Sequence, residues 1–182
     1  TPVTDDLNSI YSTGTNNCFA AGNAGTILAT ADGGTTWTEQ TSNTTSNLEG
    51  IYFTNALTGW AVGANGTIVS TKDGGTTWTT QTSGVTITFS SVKFINDNIG
   101  WAVGGSGTII KTTDGGINWV TENSGSAFTL RSIHALSSNL SWIAGSTGTI
   151  LYYSTLPAPV AAFSGTFSVC LGTVNSFTDL SS

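Results

Sequence analysis

The sequence predicts an all-β protein built as a propeller-type array, and three observations lead to that prediction. A tetrad that reads Gly-Thr-Ile followed by Leu, Val or Ile occurs four times at a spacing of 41 residues, without insertion or deletion. Tryptophans keep the same interval in two separate sets. The 23 glycines in 182 residues suit frequent tight turns, and no segment has a helical hydrophobic period. A fixed period of about 40 residues is typical of propeller blades and solenoid arrays.

The period divides the chain into four units within a predicted propeller domain of residues 1–156. The units span residues 7–47, 48–88, 89–129 and 130–156, so the last one is shorter than the others.

The second unit shows how each period forms one sheet. The pattern predicts strands over Leu48–Phe53, Gly59–Gly63, Thr67–Thr71 and Thr77–Gln81. Asn65-Gly66 separates the second strand from the third, and this dipeptide is the strongest short hairpin signal because both residues tolerate positive φ. Four short antiparallel strands in each period match the content of one propeller blade.

The second strand of each unit indicates a sheet that is packed on both faces. Trp60 and Val62 point to one face and the small Ala61 to the other, whereas a sheet with one wet face would alternate apolar with polar residues. We therefore predict that the repeated tryptophans form the core between blades. They are Trp37, Trp60, Trp78, Trp101, Trp119 and Trp142.

The connection between the third and fourth strands carries a recognisable motif. Asp32-Gly33-Gly34-Thr35-Thr36-Trp37 resembles the Asp-box, also called the bacterial neuraminidase (BNR) repeat, and it returns from Asp73 and from Asp114. Combined with the Gly-Trp-Ala-Val-Gly strand at 59–63 and 100–104, the unit resembles repeats of the photosystem II assembly-factor-like propellers. Such repeats are also common in secreted bacterial surface proteins.

The Asp-box residues are expected to be structural. An aspartate in a tight turn accepts hydrogen bonds from backbone N–H groups, and the glycine after it takes backbone conformations closed to other residues. The resemblance implies that this hairpin lies at the rim of the propeller. A structural role in the turn, rather than catalysis or calcium binding, is therefore predicted for Asp32, Asp73, Asp114, Gly33, Gly74 and Gly115.

The fourth unit departs from the pattern. Thr155 stands where Asp32 stands in the first unit, so the Asp-box and the outer strand are predicted to be absent. The array is therefore expected to be open at one or both ends. Either it is a four-bladed ring with an atypical closure, or further blades come from other sequence or from another subunit.

Residues 157–182 change character. Pro157-Ala158-Pro159 predicts a stiff linker, and Ser176–Ser181 resembles the start of a polycystic-kidney-disease (PKD) immunoglobulin-like domain. A complete sandwich of this type needs about 100 residues, so this is predicted to be a partial β segment whose strand edges need a partner.

Catalytic chemistry has little support in the sequence. Arg131 is the only arginine, so the arginine cluster of a sialidase cannot form, and the remaining carboxylates occupy no shared motif. His134 is the only histidine, and Cys18 and Cys170 lack metal-ligand spacing. We therefore expect no enzymatic activity, no cofactor and no metal site.

Charge and hydropathy limit the partners. A net charge of −6 argues against a nucleic-acid partner, because phosphate binding needs a basic face. The chain contains no run of 18 apolar residues, so no segment is predicted to insert into a membrane. Tyr11, Tyr52 and Tyr152 are the candidate ligand contacts, provided that they reach the surface.

Three functional hypotheses follow. The first is a non-catalytic, extracellular interaction or adhesion module of a secreted bacterial surface protein, with a protein or glycan partner at the cell surface. The second is a structural subunit of an extracellular fibre or sheath, a homo-oligomer or filament joined by strand donation between terminal strands. The third is a glycoside-acting enzyme, which the missing arginine cluster and carboxylate pair disfavour.

Overall fold

The protein folds as four antiparallel four-stranded sheets, which confirms the predicted fold class. The computed structural model describes residues 3–155 and 178–179. The strands of these ranges are joined by turns and by four short 3-10 turns, with no α-helix among them.

The strand bounds follow the 41-residue period closely. The first sheet contains β1 (Leu7–Ser12), β2 (Cys18–Gly22), β3 (Ile27–Thr30) and β4 (Thr38–Gln40). The second contains β5 (Leu48–Phe53), β6 (Gly59–Gly63), β7 (Ile68–Thr71) and β8 (Thr79–Gln81). The third contains β9 (Phe89–Phe94), β10 (Gly100–Gly104), β11 (Ile109–Thr112) and β12 (Val120–Glu122). The fourth contains β13 (Leu130–Ser137), β14 (Leu140–Gly145), β15 (Ile150–Ser154) and β16 (Thr178–Asp179).

The sheets are arranged as neighbouring blades. Each sheet keeps its strands in chain order, and the first strands lie side by side, β1 against β5, β5 against β9, and β9 against β13. β1 and β13 do not pack against each other in this way. Within the described ranges the four units therefore form an open array whose inner edge is lined by the first strands.

The core lies between the sheets. We call the face of a sheet that packs on the following unit its forward face, and the face that packs on the preceding unit its rear face. In the second unit the forward face is formed by Trp60, Val62 and Ile68. It packs on the rear face of the third unit, which is formed by Phe89, Val92, Phe94, Ala102 and Ile110.

The six repeated tryptophans are not equivalent in the structure. Trp60, Trp78 and Trp101 are each 1% exposed, whereas Trp37 and Trp119 are half-buried. The prediction that Trp142 belongs to the core between blades is wrong, since this residue is 37% exposed. Trp142 lies on the forward face of the fourth unit, where the described residues provide no following sheet.

The hairpin between the second and third strands shows why the Gly-Thr-Ile tetrad begins with glycine. In the second unit Ala64–Gly66 forms a 3-10 turn in which Asn65 has a φ of 57° and Gly66 a φ of 70°. A Cβ atom on Gly66 would lie 1.9 Å from the carbonyl oxygen of Val85. Both the backbone conformation and the close approach therefore require glycine.

The fourth sheet has an outer strand after all, which corrects the prediction from the repeat. β16 pairs with β15 through Leu151 opposite Asp179 and Tyr152 opposite Thr178. The strand comes from the tail rather than from the position that the period assigns. The rest of the predicted linker and PKD-like segment, with Cys170, lies outside the described residues.

Candidate functional site

The three Asp-box turns share one hydrogen-bond pattern. In the second unit Asp73 accepts hydrogen bonds from the backbone N–H of Thr77 at 2.9 Å, from the Thr77 hydroxyl at 2.6 Å and from the Thr71 hydroxyl at 2.8 Å. Asp32 makes the equivalent bonds, and Asp114 does so with the amide of Asn118 in place of a hydroxyl. The following glycines, Gly33, Gly74 and Gly115, all have positive φ.

These hydrogen bonds keep the aspartates ionised. The Thr36 hydroxyl, followed by the Thr36 N–H, lowers the pKa of Asp32 to about 2. The N–H of Asn118, followed by its side-chain amide, lowers the pKa of Asp114 to about 2, and Thr77 lowers the pKa of Asp73. Because stable carboxylates accept hydrogen bonds but have no proton to donate near neutral pH, these residues suit turn geometry and not general-acid catalysis.

The Asp-box also connects neighbouring units, a role that sequence reasoning missed. The carbonyl oxygen of Gly115 accepts hydrogen bonds from the Trp60 indole N–H at 3.2 Å and from the Gln81 amide at 3.0 Å. The Trp119 indole N–H reaches Gln81 at 3.3 Å. The turn of the third unit is therefore fastened to the second unit. The repeated polar position at Gln40, Gln81 and Glu122 was the available signal.

A different set of side chains meets along the inner edge of the array. Tyr11, Tyr52, Lys93 and His134 occupy the same position in β1, β5, β9 and β13, and we call this set the inner row. The rings of Tyr11 and Tyr52 meet edge to face with centroids 4.8 Å apart. The Lys93 ammonium donates a hydrogen bond to the Tyr52 hydroxyl at 2.9 Å and lies 4.4 Å from that ring centroid.

The inner row reaches solvent but is sheltered over part of its length. Tyr11, Tyr52 and Lys93 are half-buried, and His134 is exposed. Burial raises the pKa of Tyr11, and the adjacent Tyr52 phenol raises it further. Tyr11 is therefore a neutral phenol near neutral pH and can donate a hydrogen bond to a ligand.

A hollow of about 580 Å³ opens beside Tyr52. It is lined by Tyr52, Thr54, Ile95, Asn96, Asp97 and Asn98. Asp97 accepts hydrogen bonds from the Thr54 hydroxyl and, at 3.0 Å, from the Asn55 amide. The inner row and this hollow together form the candidate site, with an aromatic surface, one ammonium group and several amides.

The structure brings together two of the three predicted ligand contacts. Tyr11 and Tyr52 belong to the inner row, but Tyr152 lies on β15, two strands outward from His134. Its ring packs beside Trp142 with centroids 5.6 Å apart. Lys93 was missing from the predicted contacts, although its alignment with the tyrosines was visible in the sequence.

Clustered metal ligands and a membrane-spanning helix are both missing from the described ranges. No three histidine, cysteine or acidic side chains there come together as metal ligands. Nor does any helix in this part of the chain have the length and apolar character that crossing a bilayer requires.

The fold and the turns define a repeat protein of the β-propeller type with BNR-like units. A family model described as photosynthesis system II assembly factor YCF48 matches residues 80–154. No curated protein shows significant sequence similarity to the chain.

Solved structures share this fold at low sequence identity. YCF48 bound to D1 peptide has 21% identity and a TM-score of 0.69, over 84% of this chain and 51% of that one. YCF48 from Cyanidioschyzon merolae has 19% identity and a TM-score of 0.70, over 98% and 57%. The GH74 enzyme from Niastella koreensis has 18% identity and a TM-score of 0.68, over 96% and 30%. The chain thus spans about half the length of the YCF48 structures.

These similarities correct the expected location. The prediction of an extracellular protein at a bacterial cell surface is wrong, because the matching family model and two of the similar structures belong to a photosystem II assembly factor. The BNR-like propeller repeats of the predicted resemblance are supported, whereas its PKD-like and surface-protein parts are not.

Proposed function

We propose that this chain is a non-catalytic protein-binding module that holds an extended, carboxylate-bearing peptide segment of its partner along the inner row. The observation that carries the proposal is a continuous set of contacts on adjacent first strands, in which Lys93 contacts Tyr52 and Tyr52 contacts Tyr11. An ammonium group beside two tyrosine side chains offers a charged donor, hydroxyl groups and ring surfaces close together.

The chemistry of the row suits a peptide. The Lys93 ammonium has three N–H donors and uses one on Tyr52, so others remain for a carboxylate or for peptide carbonyls. The tyrosine rings provide amphipathic contact area at small loss of side-chain entropy. Asn96 and Asn98 in the adjacent hollow add amides that can both donate to and accept from a peptide backbone.

The comparisons support a binding role without defining its details. A YCF48 structure of the same fold holds a D1 peptide, so a propeller of this type can serve as a peptide receptor. At 21% identity the likeness carries the fold alone, and the peptide assigned here follows from the chemistry of the inner row.

A catalytic role lacks comparable support. A glycoside hydrolase needs one carboxyl group with a raised pKa as general acid. The three Asp-box aspartates instead have lowered pKa values and are engaged as hydrogen-bond acceptors. The likeness to a GH74 enzyme rests on 18% identity and extends to the fold only.

The fibre hypothesis also lacks a supporting observation. Strand donation needs a terminal strand that seeks its partner in another copy. The described tail strand β16 pairs instead with β15 of the same chain.

A peptide array tests the proposal, with Lys93→Met as the test variant and Lys72→Met as its matched control. Lys72 is an exposed lysine in an Asp-box turn, away from the inner row. We expect the unmodified chain to select peptides that carry a carboxylate next to an aromatic or apolar residue. Loss of a charge-assisted hydrogen bond of about 1.5–3 kcal/mol should weaken binding about 10- to 100-fold in Lys93→Met and leave Lys72→Met unchanged.

Three results would contradict the proposal. One is an array without hits, and another is equal binding by both lysine variants. The third is selective binding on a glycan array with no peptide binding, which would show that the site binds sugars instead of peptides.

A further inference from the structure

We propose that two copies of this chain associate head to tail, with the forward face of the fourth unit in each copy packed on the rear face of the first unit in the other. This inference is independent of the proposed peptide binding.

The same junction already occurs three times within the chain. At each one, a large residue of the second strand and a branched residue of the third strand, both on the forward face, pack on apolar residues of the next first strand. The forward pairs are Phe19 with Ile27, Trp60 with Ile68, and Trp101 with Ile109. The rear pairs that receive them are Leu48 with Ile51, Phe89 with Val92, and Leu130 with Ile133.

The first unit keeps the rear-face residues but leaves them exposed. Its rear pair is Leu7 with Ile10, in register with Leu48 and Ile51. Ile10 is 66% exposed and Leu7 is 42% exposed, whereas Ile51 is 5% exposed and Leu48 is fully buried. The first unit therefore presents the receiving half of a junction without an occupant in the described residues.

The fourth unit shows the opposite half. Trp142 and Ile150 stand where Trp101 and Ile109 stand in the third unit. Trp142 is 37% exposed and Ile150 is 47% exposed, although their counterparts are buried. A tryptophan and an isoleucine on one open sheet face match the residues that the rear face receives at the internal junctions.

One molecule thus carries both halves of the junction that its own units form with one another. Two copies satisfy both faces together, and cyclic two-fold dimers are the commonest symmetric oligomers. The resulting eight units fall within the four to eight blades that propellers typically contain.

A polar contact of the internal junctions can also form between the two copies. At the junction of the first and second units, Ser9 Oγ accepts a hydrogen bond from the Ile51 N–H at 3.2 Å. Ser132 is the corresponding partner for Ile10 of the second copy.

Two face variants and a matched control test the pairing. Ile10→Glu charges the rear face and Trp142→Glu charges the forward face, while Val120→Glu changes a residue of the outer strand β12 that is also 66% exposed. Sedimentation velocity should show a dimer for the unmodified chain and for Val120→Glu. Each face variant alone should be monomeric. Circular dichroism should confirm that all variants remain folded, since each substituted side chain is exposed.

Mixing the two face variants provides a sharper criterion. Ile10→Glu retains an intact forward face and Trp142→Glu retains an intact rear face. Only a head-to-tail contact lets the mixture form one sound junction, so a one-to-one complex should reappear with weaker affinity than the original dimer. Association through a single self-complementary patch would not be restored by mixing.

A disulfide trap tests the register of the contact. At the internal junction between the second and third units, a Cβ atom on Gly50 would lie 3.4 Å from Ser91 Cα. Ser132 and Ser9 occupy the corresponding positions across the proposed contact. In a chain with Cys18→Ser and Cys170→Ser, the pair Ser9→Cys and Ser132→Cys should form covalent dimers on oxidation, and either cysteine alone should not.

The proposal is overturned if the chain is monomeric at all concentrations, which would assign the faces to further units of a longer chain or to another protein. It is equally overturned if the dimer survives both face variants, or if the cysteine pair fails to cross-link a chain that dimerises.

Discussion

Two junctions between units pack similar apolar faces but differ in their polar contacts. One lies between the second and third units, and the other lies between the third and fourth units. At the former, the Gly115 carbonyl of the Asp-box accepts hydrogen bonds from Trp60 and Gln81, and Trp119 donates to Gln81. Every buried polar atom in this set has a partner. The Asp-box therefore joins two sheets as well as turning the chain.

The fourth unit has no Asp-box, and its junction shows the consequence. The Trp101 indole nitrogen and Glu122 Oε2 are buried without a hydrogen-bond partner among the described residues. Lys111 pairs with Glu122 Oε1 at 3.6 Å and lies over the rings of Trp101 and Tyr153, at 5.1 and 5.7 Å from their centroids. An ion pair and cation–π contacts replace the hydrogen bonds of the turn.

The difference teaches that the apolar part of a junction and its polar part are separable. Both junctions bury a tryptophan to 1% exposure, so packing does not depend on the Asp-box. The Trp60 indole nitrogen has its partner in the Asp-box turn, whereas the Trp101 indole nitrogen has none among the described residues. A buried polar group without a partner is destabilising by about 1–3 kcal/mol. The junction between the second and third units is therefore expected to be more stable than the junction between the third and fourth units.

The largest effect is expected from removing a tryptophan that is buried at a junction. Trp60→Ala should lower the free energy of unfolding by about 3–5 kcal/mol through the cavity and the lost hydrogen bond. Trp142→Ala should lower it by less than about 1 kcal/mol, since that residue is already exposed. Chemical denaturation of the monomeric Ile10→Glu background measures both values. Equal losses at the two positions would contradict the difference in burial.

Conservative replacements separate hydrogen bonding from packing. Trp60→Phe removes the donor to Gly115, whereas Trp101→Phe removes a donor that has no described partner. Trp60→Phe should therefore be more destabilising than Trp101→Phe by about 2 kcal/mol in denaturant unfolding. If Trp101→Phe were the more damaging change, the proposed role of the turn carbonyl would be wrong.

A smaller effect is expected at the lysine that replaces the Asp-box contacts. Lys111→Met should lower the free energy of unfolding by about 1 kcal/mol, because Glu122 loses its ion partner in a partly buried position. Lys72→Met serves as the control and should stay within about 0.5 kcal/mol of the unmodified chain. High salt should reduce the Lys111 effect, and a loss that is insensitive to salt would point to packing instead.

The smallest change is expected on acidification. The folded-state pKa values of Asp32 and Asp114 lie at about 2, below the ordinary value of 3.8. The stability that these groups add is therefore complete above about pH 4 and is lost as the pH falls towards 2. Thermal unfolding between pH 5 and 2 should show this decline, and the joint replacement of Asp32, Asp73 and Asp114 by Asn should flatten it. A parallel decline in the Asn variant would assign the loss to other groups.

Much of the fold could be predicted because the repeat determines it locally. β5 and β6 begin and end where the pattern of the second unit places them, since alternation and the Asn65-Gly66 turn act within one sheet. Exposure of Trp142 and pairing of β16 could not be predicted in this way. Both depend on what lies beyond the last repeat, and the period carries no information about it.

The candidate site was only half visible for a related reason. The tyrosines stood out as aromatic residues, but the value of Lys93 comes from its contact with Tyr52 across two sheets. Gln81 likewise lies outside the Asp-box motif and acquires its role from the neighbouring unit. Contacts between units combine residues that no single repeat contains.

The indole N–H resonances of Trp60 and Trp101 test most directly whether the Asp-box joins the sheets through its carbonyl. In a nitrogen–proton correlation spectrum assigned with the Phe variants, the Trp60 proton should be shifted downfield by its hydrogen bond to Gly115 and the Trp101 proton should not. Replacing Asp114 by Ala should move the Trp60 resonance towards that of Trp101. Two coincident resonances, neither of which responds to the Asp114 change, would contradict the account.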